Sequence, residues 1–293
     1  MKIALFGKNL TENNVEYVQL LVDKIAALGI SMVIYEAFYN TINKSIRFSE
    51  NVQTFSSHIE IKKDVDFLLS IGGDGTLLDT ITLVRDSGVP ILGINLGRLG
   101  FLASINKEMI IPALNSLLEG NYILDKRTLV SLETPSNPFG EMNYALNEMT
   151  VYKQLPLSMI RVKVFVDGEF LNTYWSDGLI ISTPTGSTGY SLSCGGPILY
   201  PGASSFVITP IAPHNLNVRP MIISDDSVLS FEIEDRSTSF LITLDSRSET
   251  IDSKIQLAVR KADFAFNLVR FNNEDYLTTL RTKLMWGLDN RNQ

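Results

Sequence analysis

The chain has one cysteine, Cys194, and two histidines, His58 and His214, in 293 residues. A single thiol cannot close an intramolecular disulfide. So few soft ligands also leave no His/Cys cluster and no Cys–His pair with a recognisable spacing. Basic residues are in short supply as well: 25 Lys and Arg against 32 Asp and Glu give a formal net charge of −7. That is the wrong sign for a nucleic-acid partner, which requires a basic face. No apolar run approaches the roughly 18 residues of a membrane-spanning helix, and residues 1–7 turn polar too soon for a signal peptide. These absences imply a soluble protein of cytoplasmic location, with neither nucleic acid nor membrane as a partner. What is present is 45% hydrophobic content with 19% charged residues, enough for a sizeable core and, at this length, roughly two domains.

Alternation of strand and helix patterns marks the first part of the chain. Residues 3–6 read as a strand, and Val15, Val18, Leu21, Val22, Ile25 and Leu28 give one apolar face of a helix closed by Gly29. Further strands are expected at 30–35, 65–71 and 90–95, with helices at 76–85 and 107–118. The polar stretch 40–57 has weak periodicity and is expected as a loop. This pattern predicts a Rossmann-like, doubly wound α/β domain over residues 1–123. Tyr276, Leu277, Leu280 and Leu284 recur at helical spacing near the end, so residues 268–293 are expected to join that domain.

From about Leu124 the period changes to two. Ile160, Val162, Val164 and Val166 alternate with Arg161, Lys163 and Phe165, and Asp167-Gly168 supplies a type I′ hairpin turn. More strand-like runs follow at 228–233, 240–244 and 255–259. Residues 124–267 are therefore expected to form an all-β, sandwich-type domain.

Two glycine-rich segments carry the chemistry. In Ile71-Gly72-Gly73-Asp74-Gly75-Thr76 the glycines fall on a strand-to-helix turn, where backbone N–H groups are aimed at anions and a Cβ would block close approach of a phosphate. Asp74 is a poor phosphate holder, since the two charges repel. It suits accepting a proton from an attacking hydroxyl or holding a metal ion that bridges to phosphate. The alternative is a tight turn in which Asp74 caps a helix starting at Thr76. The second segment, residues 183–197, lies in the β-rich half and gathers Thr185, Ser187, Thr188 and Ser193 with backbone from Gly186, Gly189, Gly195 and Gly196. It suits polar recognition of a ribose, base or amide, or else forms an ordinary structural loop.

The motif 72–76 resembles the NAD kinases, and is shared with diacylglycerol, sphingosine and phosphofructokinases. Leu146-Asn147-Glu148-Met149-Thr150, the long element 177–197, and Thr209-Pro210-Ile211-Ala212-Pro213-His214-Asn215-Leu216 followed by Arg219-Pro220 are similar to further NAD kinase elements in the same order. The resemblance implies transfer of a phosphoryl group from ATP, with Mg2+ or another divalent metal, to the 2′-hydroxyl of the adenosine ribose of NAD. It implies Asp74 as the catalytic base and Gly72, Gly73, Gly75 and Thr76 as the phosphate loop. Asp74, Gly75, Asn147, Glu148, Trp175, Asp177, Thr188, Gly189, Tyr190, Ser191, Leu192, Ser193, Ala212 and Arg247 fall on dinucleotide-contact positions, and relatives are commonly homodimers or homotetramers.

The chain departs from the pattern in two places. Trp175 stands where many relatives carry a basic residue, so a phosphate or ribose contact there is either missing or replaced by stacking, and Asp79 stands where an Arg is frequent, so the triphosphate is expected to find its cationic partner elsewhere. The spacing at Arg247 is loose, and taken alone it reads as a solvated surface residue. His214 reads as a hydrogen-bonded structural residue and Cys194 as an inert buried thiol. Ser187 and Ser191 lack the elbow of a hydrolase nucleophile. A lipid kinase of the diacylglycerol type and a non-catalytic dinucleotide sensor are the alternatives.

Overall fold

The computed structural model describes residues 1–48, 52–97, 100–154, 159–234, 239–271 and 275–286. The chain divides into two compact units, Met1–Asp125 with Asn267–Gln293, and Lys126–Phe266.

In the first unit β1 (Lys2–Gly7), β2 (Ser31–Tyr35), β3 (Gln53–Phe55), β4 (Phe67–Ile71), β5 (Ile91–Asn95), β6 (Ile105–Asn106) and β7 (Ile123–Arg127) are joined by β20 (Phe266–Arg270), returning from the far end of the chain. The order is β3-β2-β1-β4-β5-β20-β7, with β6 paired to β5. Pairing across β3-β2-β1-β4-β5 is parallel. Every residue of β4 and β5 is buried, as expected of central parallel strands covered on both faces. Helix α1 (Val15–Ala27) sends Val18, Leu21, Val22 and Ile25 into that core. Leu28 lies just past the helix end and is exposed. Because β2 and β3 lie to one side of β1 and β4 and β5 to the other, the strand order reverses between β1 and β4. Loops leaving the carboxyl ends of those two strands sit at the topological switch point, where ligands bind in open α/β sheets.

The stretch 40–57 is not a plain loop. Helix α2 (Glu36–Ile42) buries Phe38 and Ile42, a single i, i+4 pair too short to raise a periodicity, and β3 follows; residues 49–51 lie outside the described residues. Helix α3 (His58–Asp64) opens on a capping box in which the Ser57 N–H donates to Glu60. The helix expected at 76–85 begins earlier, at Asp74, and is broken: α4 (Asp74–Asp79) and α5 (Ile81–Val84) meet at Thr80. The buried Thr80 hydroxyl bonds back to the Leu77 carbonyl at 2.6 Å, the local competition that bends helices. Helix α6 (Ile110–Leu118) ends before Gly120, with a 3-10 turn at Lys107–Met109 in front of it.

The second unit is a sandwich of two six-stranded antiparallel sheets. One is ordered β15-β14-β13-β10-β17-β18 and the other β12-β11-β16-β19-β8-β9. The strands are β8 (Val130–Glu133), β9 (Tyr144–Ala145), β10 (Glu148–Tyr152), β11 (Ile160–Val166), β12 (Glu169–Ser176), β13 (Gly178–Ser182), β14 (Ser205–Ile211), β15 (Met221–Ser224), β16 (Leu229–Glu234), β17 (Ser239–Leu244), β18 (Arg247–Asp252) and β19 (Leu257–Lys261). Alternate residues point inward, Phe240, Ile242 and Leu244 from β17 meeting Val162, Val164 and Phe231 from the other sheet in one core. Asp167 (φ 51°) and Gly168 (φ 84°) are both left-handed, the type I′ turn read from the sequence. A four-residue helix, α7 (Tyr190–Ser193), is inserted between β13 and β14, and α8 (Tyr276–Leu284) closes the described chain, burying Leu280. Of the segment 268–293 expected to join the first domain, residues 272–274 and 287–293 lie outside the described residues.

Candidate active site

In the first unit, β4 delivers the glycine turn to the switch point. Gly72 (φ 151°) has the Thr76 side chain beside it, 2.5 Å from where a Cβ would stand, while Gly73 and Gly75 face open space. The Gly73, Asp74 and Gly75 amides precede the first intrahelical bonds and are the orphan donors of this helix start.

Asp74 is anchored rather than dangling. Its Oδ2 accepts from the Phe101 N–H at 2.7 Å, and its Oδ1 from Leu102 at 3.0 Å and Ala103 at 2.9 Å. The loop can approach this closely only because residue 100 is glycine: a Cβ there would lie 1.8 Å from Asp74 Oδ1. Asp74 is thus a residue of the first helical turn tied to a second loop, not a cap on a helix starting at Thr76. Oδ2, with one described bond, keeps lone-pair capacity for an incoming hydroxyl. Of loop 96–102, Arg98 and Leu99 lie outside the described residues.

The cation not found near Asp79 in the sequence comes from β1. Lys8, one residue past the carboxyl end of that strand, forms an ion pair with the Asp79 carboxylate. It reaches the glycine turn because Gly7 and Ile71 are register partners.

In the second unit the Asn147-Glu148 element is set by Asp245. That carboxylate, on the two-residue turn between β17 and β18 (φ 52°), accepts from the N–H groups of Leu146 at 2.9 Å, Asn147 at 2.8 Å and Glu148 at 3.3 Å. The loop after β13 packs on the same strand: the Thr183 N–H donates to the Asn147 carbonyl at 2.9 Å. A Cβ on Gly186 would lie 2.1 Å from that oxygen, which makes glycine obligatory there. Gly189 is brought beside both side chains, its Cβ position 3.5 Å from Glu148 Oε2 and 4.0 Å from Asn147 Nδ2.

Burial, and then the neighbouring Asp245 charge, push the Glu148 carboxyl up to about 8, and its Oε2 is buried without a hydrogen bond. Burial raises Asp245 too, opposed by its three amide donors and Arg247. With those donors fixed on Asp245, Glu148 is the member of the pair that takes the proton.

The segment 188–193 is not uniformly available. Tyr190 and Ser193 are exposed, and Thr188, Gly189 and Leu192 are half-buried. Ser191 is fully buried, its hydroxyl 2.8 Å from that of Thr209, so it supports the loop from beneath. The Tyr190 phenol is pushed up by burial and then by Cys194, Tyr152 and Asp177, which places it among those groups. Cys194 is half-buried, its thiol also raised by burial. Asp177 is paired with Lys153 at 2.6 Å, and its N–H donates to the Ile211 carbonyl. Ala212 follows in the left-handed region (φ 45°), and the His214 N–H donates to the Trp175 carbonyl at 2.8 Å. Trp175, Asp177, Ala212 and Tyr190 therefore belong to one neighbourhood. The exposed Trp175 ring lies 5.7 Å from the Arg161 guanidinium, which is itself paired with Glu234 at 2.8 Å. Arg247 is not a solvated residue: its guanidinium donates to the carbonyls of Met142 and Tyr144.

Comparisons with known proteins give the family of the chain. Residues 3–122 match the model of the ATP-NAD kinase N-terminal domain and residues 146–271 that of the ATP-NAD kinase C-terminal domain. The chain is 48% identical to the NAD kinase of Cytophaga hutchinsonii, with 100% of both chains covered, and 46% identical to that of Flavobacterium psychrophilum, again with 100% of both. Among solved structures it is similar to a yeast NADH kinase complexed with NADH (TM-score 0.88, 21% identity, 99% of this chain and 89% of that one), a likeness of fold. It is also similar to an NAD kinase from Archaeoglobus fulgidus in complex with ATP (TM-score 0.74, 26% identity, 97% and 99%).

Proposed function

The chain belongs to the NAD kinase family and carries its activity, ATP-dependent phosphorylation of NAD at the 2′-hydroxyl of the adenosine ribose to give NADP; from that premise we propose how its residues divide the work. Asp74 holds the acceptor hydroxyl through Oδ2 and takes its proton as the phosphoryl group arrives. Support for this comes from the hold on Asp74, whose carboxylate is aimed by three backbone N–H groups, the kind of preorganisation that positions a base. The amides of Gly73, Asp74 and Gly75, backed by Thr76, receive the donor phosphates, and Lys8, ion-paired with Asp79, offers them a cation.

Asn147, Glu148, Trp175, Asp177, Thr188, Gly189, Tyr190, Leu192, Ser193 and Ala212 grip the dinucleotide. Ser191 and Arg247 act beneath that surface, holding the loops that present it. A divalent cation such as Mg2+, bound with ATP, would neutralise charge on its phosphates.

The protein works in the cytoplasm as a homodimer or homotetramer. Assembly is favoured by the sandwich's edge strands, which expose Phe170 on β12 and Met221 and Ile222 on β15. Incubating purified protein with NAD, ATP and magnesium and following NADP with an NADP-specific dehydrogenase tests the activity. Normal NAD binding without NADP formation would mark a sensor instead.

A further inference from the structure

The peptide unit between Phe101 and Leu102 lies between two opposite charges. Its N–H donates to Asp74 Oδ1 at 3.0 Å, and its carbonyl accepts from Arg270 Nη2 at 3.2 Å. Arg270 is the last residue of β20, with its side chain 8% exposed and its Nε 3.4 Å from Asp125 Oδ2 on the adjacent strand β7. A guanidinium is costly to bury unless its donors are used, and this one spends them on a carboxylate of the sheet and on the very loop that aims Asp74.

We propose that Arg270 is a positioning residue for Asp74, acting through the Phe101–Leu102 peptide and itself aimed by Asp125. Two effects follow from the geometry. A cation on the carbonyl polarises the peptide and strengthens its N–H as a donor to the carboxylate. The planar fork also fixes the loop relative to β20, so that the three amides stay convergent on Asp74. The proposal rests on Asp74 being the proton acceptor.

Arg270→Met and Arg270→Lys, each in the wild-type and the Asp74→Asn background, test it by steady-state kinetics, NAD calorimetry and thermal unfolding. In the wild-type background Arg270→Met is expected to lower kcat about 10- to 100-fold with NAD affinity unchanged. Arg270→Lys should fall between, since an ammonium can reach one acceptor but not both. In the Asp74→Asn background the same changes should cost less than about 2-fold, because the group they position has lost its role. An equal loss in both backgrounds would mean a merely structural residue and would overturn the proposal, as would wild-type kcat in the folded variants. Should Arg270→Met fail to fold, Arg270→Lys carries the comparison. Wild-type kcat in Asp74→Asn alone would remove the proton-acceptor assignment and this proposal together. An inactive Asp74→Asn with kinetically silent Arg270 variants would remove this proposal only.

Discussion

Replacing Glu148 by Gln should abolish a pH dependence of stability that the wild-type protein carries. The carboxyl is moved from an ordinary 4.5 to about 8, first by burial and then by Asp245. An acid with a raised folded pKa keeps its proton in the native state while the unfolded chain releases it. Between about pH 4.5 and pH 8 the native state therefore binds more protons, and stability falls as pH rises, levelling off above the folded value. At about 1.4 kcal/mol per pKa unit the ceiling is about 5 kcal/mol. Local relaxation and water entry bring the expected decline to on the order of 2 kcal/mol between pH 5 and pH 8. Glutamine is neutral throughout, so Glu148→Gln should show a flatter profile and exceed the wild type in stability at pH 8. Urea unfolding at pH 5, 6.5 and 8 measures this through the difference between the two proteins, which cancels the titration of groups not coupled to Glu148. Parallel profiles would mean that Glu148 is ionised at neutral pH and that water reaches its Oε2.

The parts of this site legible in the sequence are those that announce themselves through residue type. Gly72, Gly73 and Gly75 around one acid, directly after an apolar strand, mark a turn that admits a ligand, and Asp167-Gly168 marks a hairpin. What was not legible are the partners. Asp74 is aimed by the amides of Phe101, Leu102 and Ala103, and a backbone N–H has no letter in the sequence; only Gly100 leaves a trace, since any Cβ there would meet the carboxylate. Asp245 acts on Asn147 from 98 residues away, yet an acid on a two-residue turn looks like ordinary turn chemistry. Lys8 is brought to Asp79 by strand register alone. The four-residue α7 is too short for periodicity to separate buried Ser191 from exposed Ser193. The fold was easier, because alternation of burial along strands such as β11 and β17 is written in the side chains themselves.

Gly100→Ala would thrust a methyl to 1.8 Å from Asp74 Oδ1, so kcat should fall about 100-fold as the carboxylate is displaced. Steady-state kinetics with NAD calorimetry would show this, and an unaltered kcat would mean that the placement of Asp74 does not set the rate. Tyr190→Ala should raise the KM for NAD about 10-fold with a smaller change in kcat, the signature of uniform binding loss; a collapse of kcat at constant KM would contradict its place in recognition. Gly189→Ala puts a methyl 3.2 Å from the Gly186 carbonyl and should be accommodated, whereas Gly189→Val crowds Asn147 and Glu148 and should weaken NAD binding in calorimetry; equal affinity would place the residue away from the dinucleotide. Asp74→Asn is the test on which the proton transfer rests, and the structure shows that it is not a silent isostere. An amide offers one oxygen to three N–H donors, so its best orientation keeps Leu102 and Ala103 and turns an NH2 toward Phe101, a loss of about 1–3 kcal/mol of stability. If Asp74 takes the proton, kcat should drop roughly 10²–10⁴-fold beyond what that loosening explains, with NAD still bound. A folded variant that retains wild-type kcat would therefore reduce Asp74 to an anchor for the loop 101–103 and nothing more.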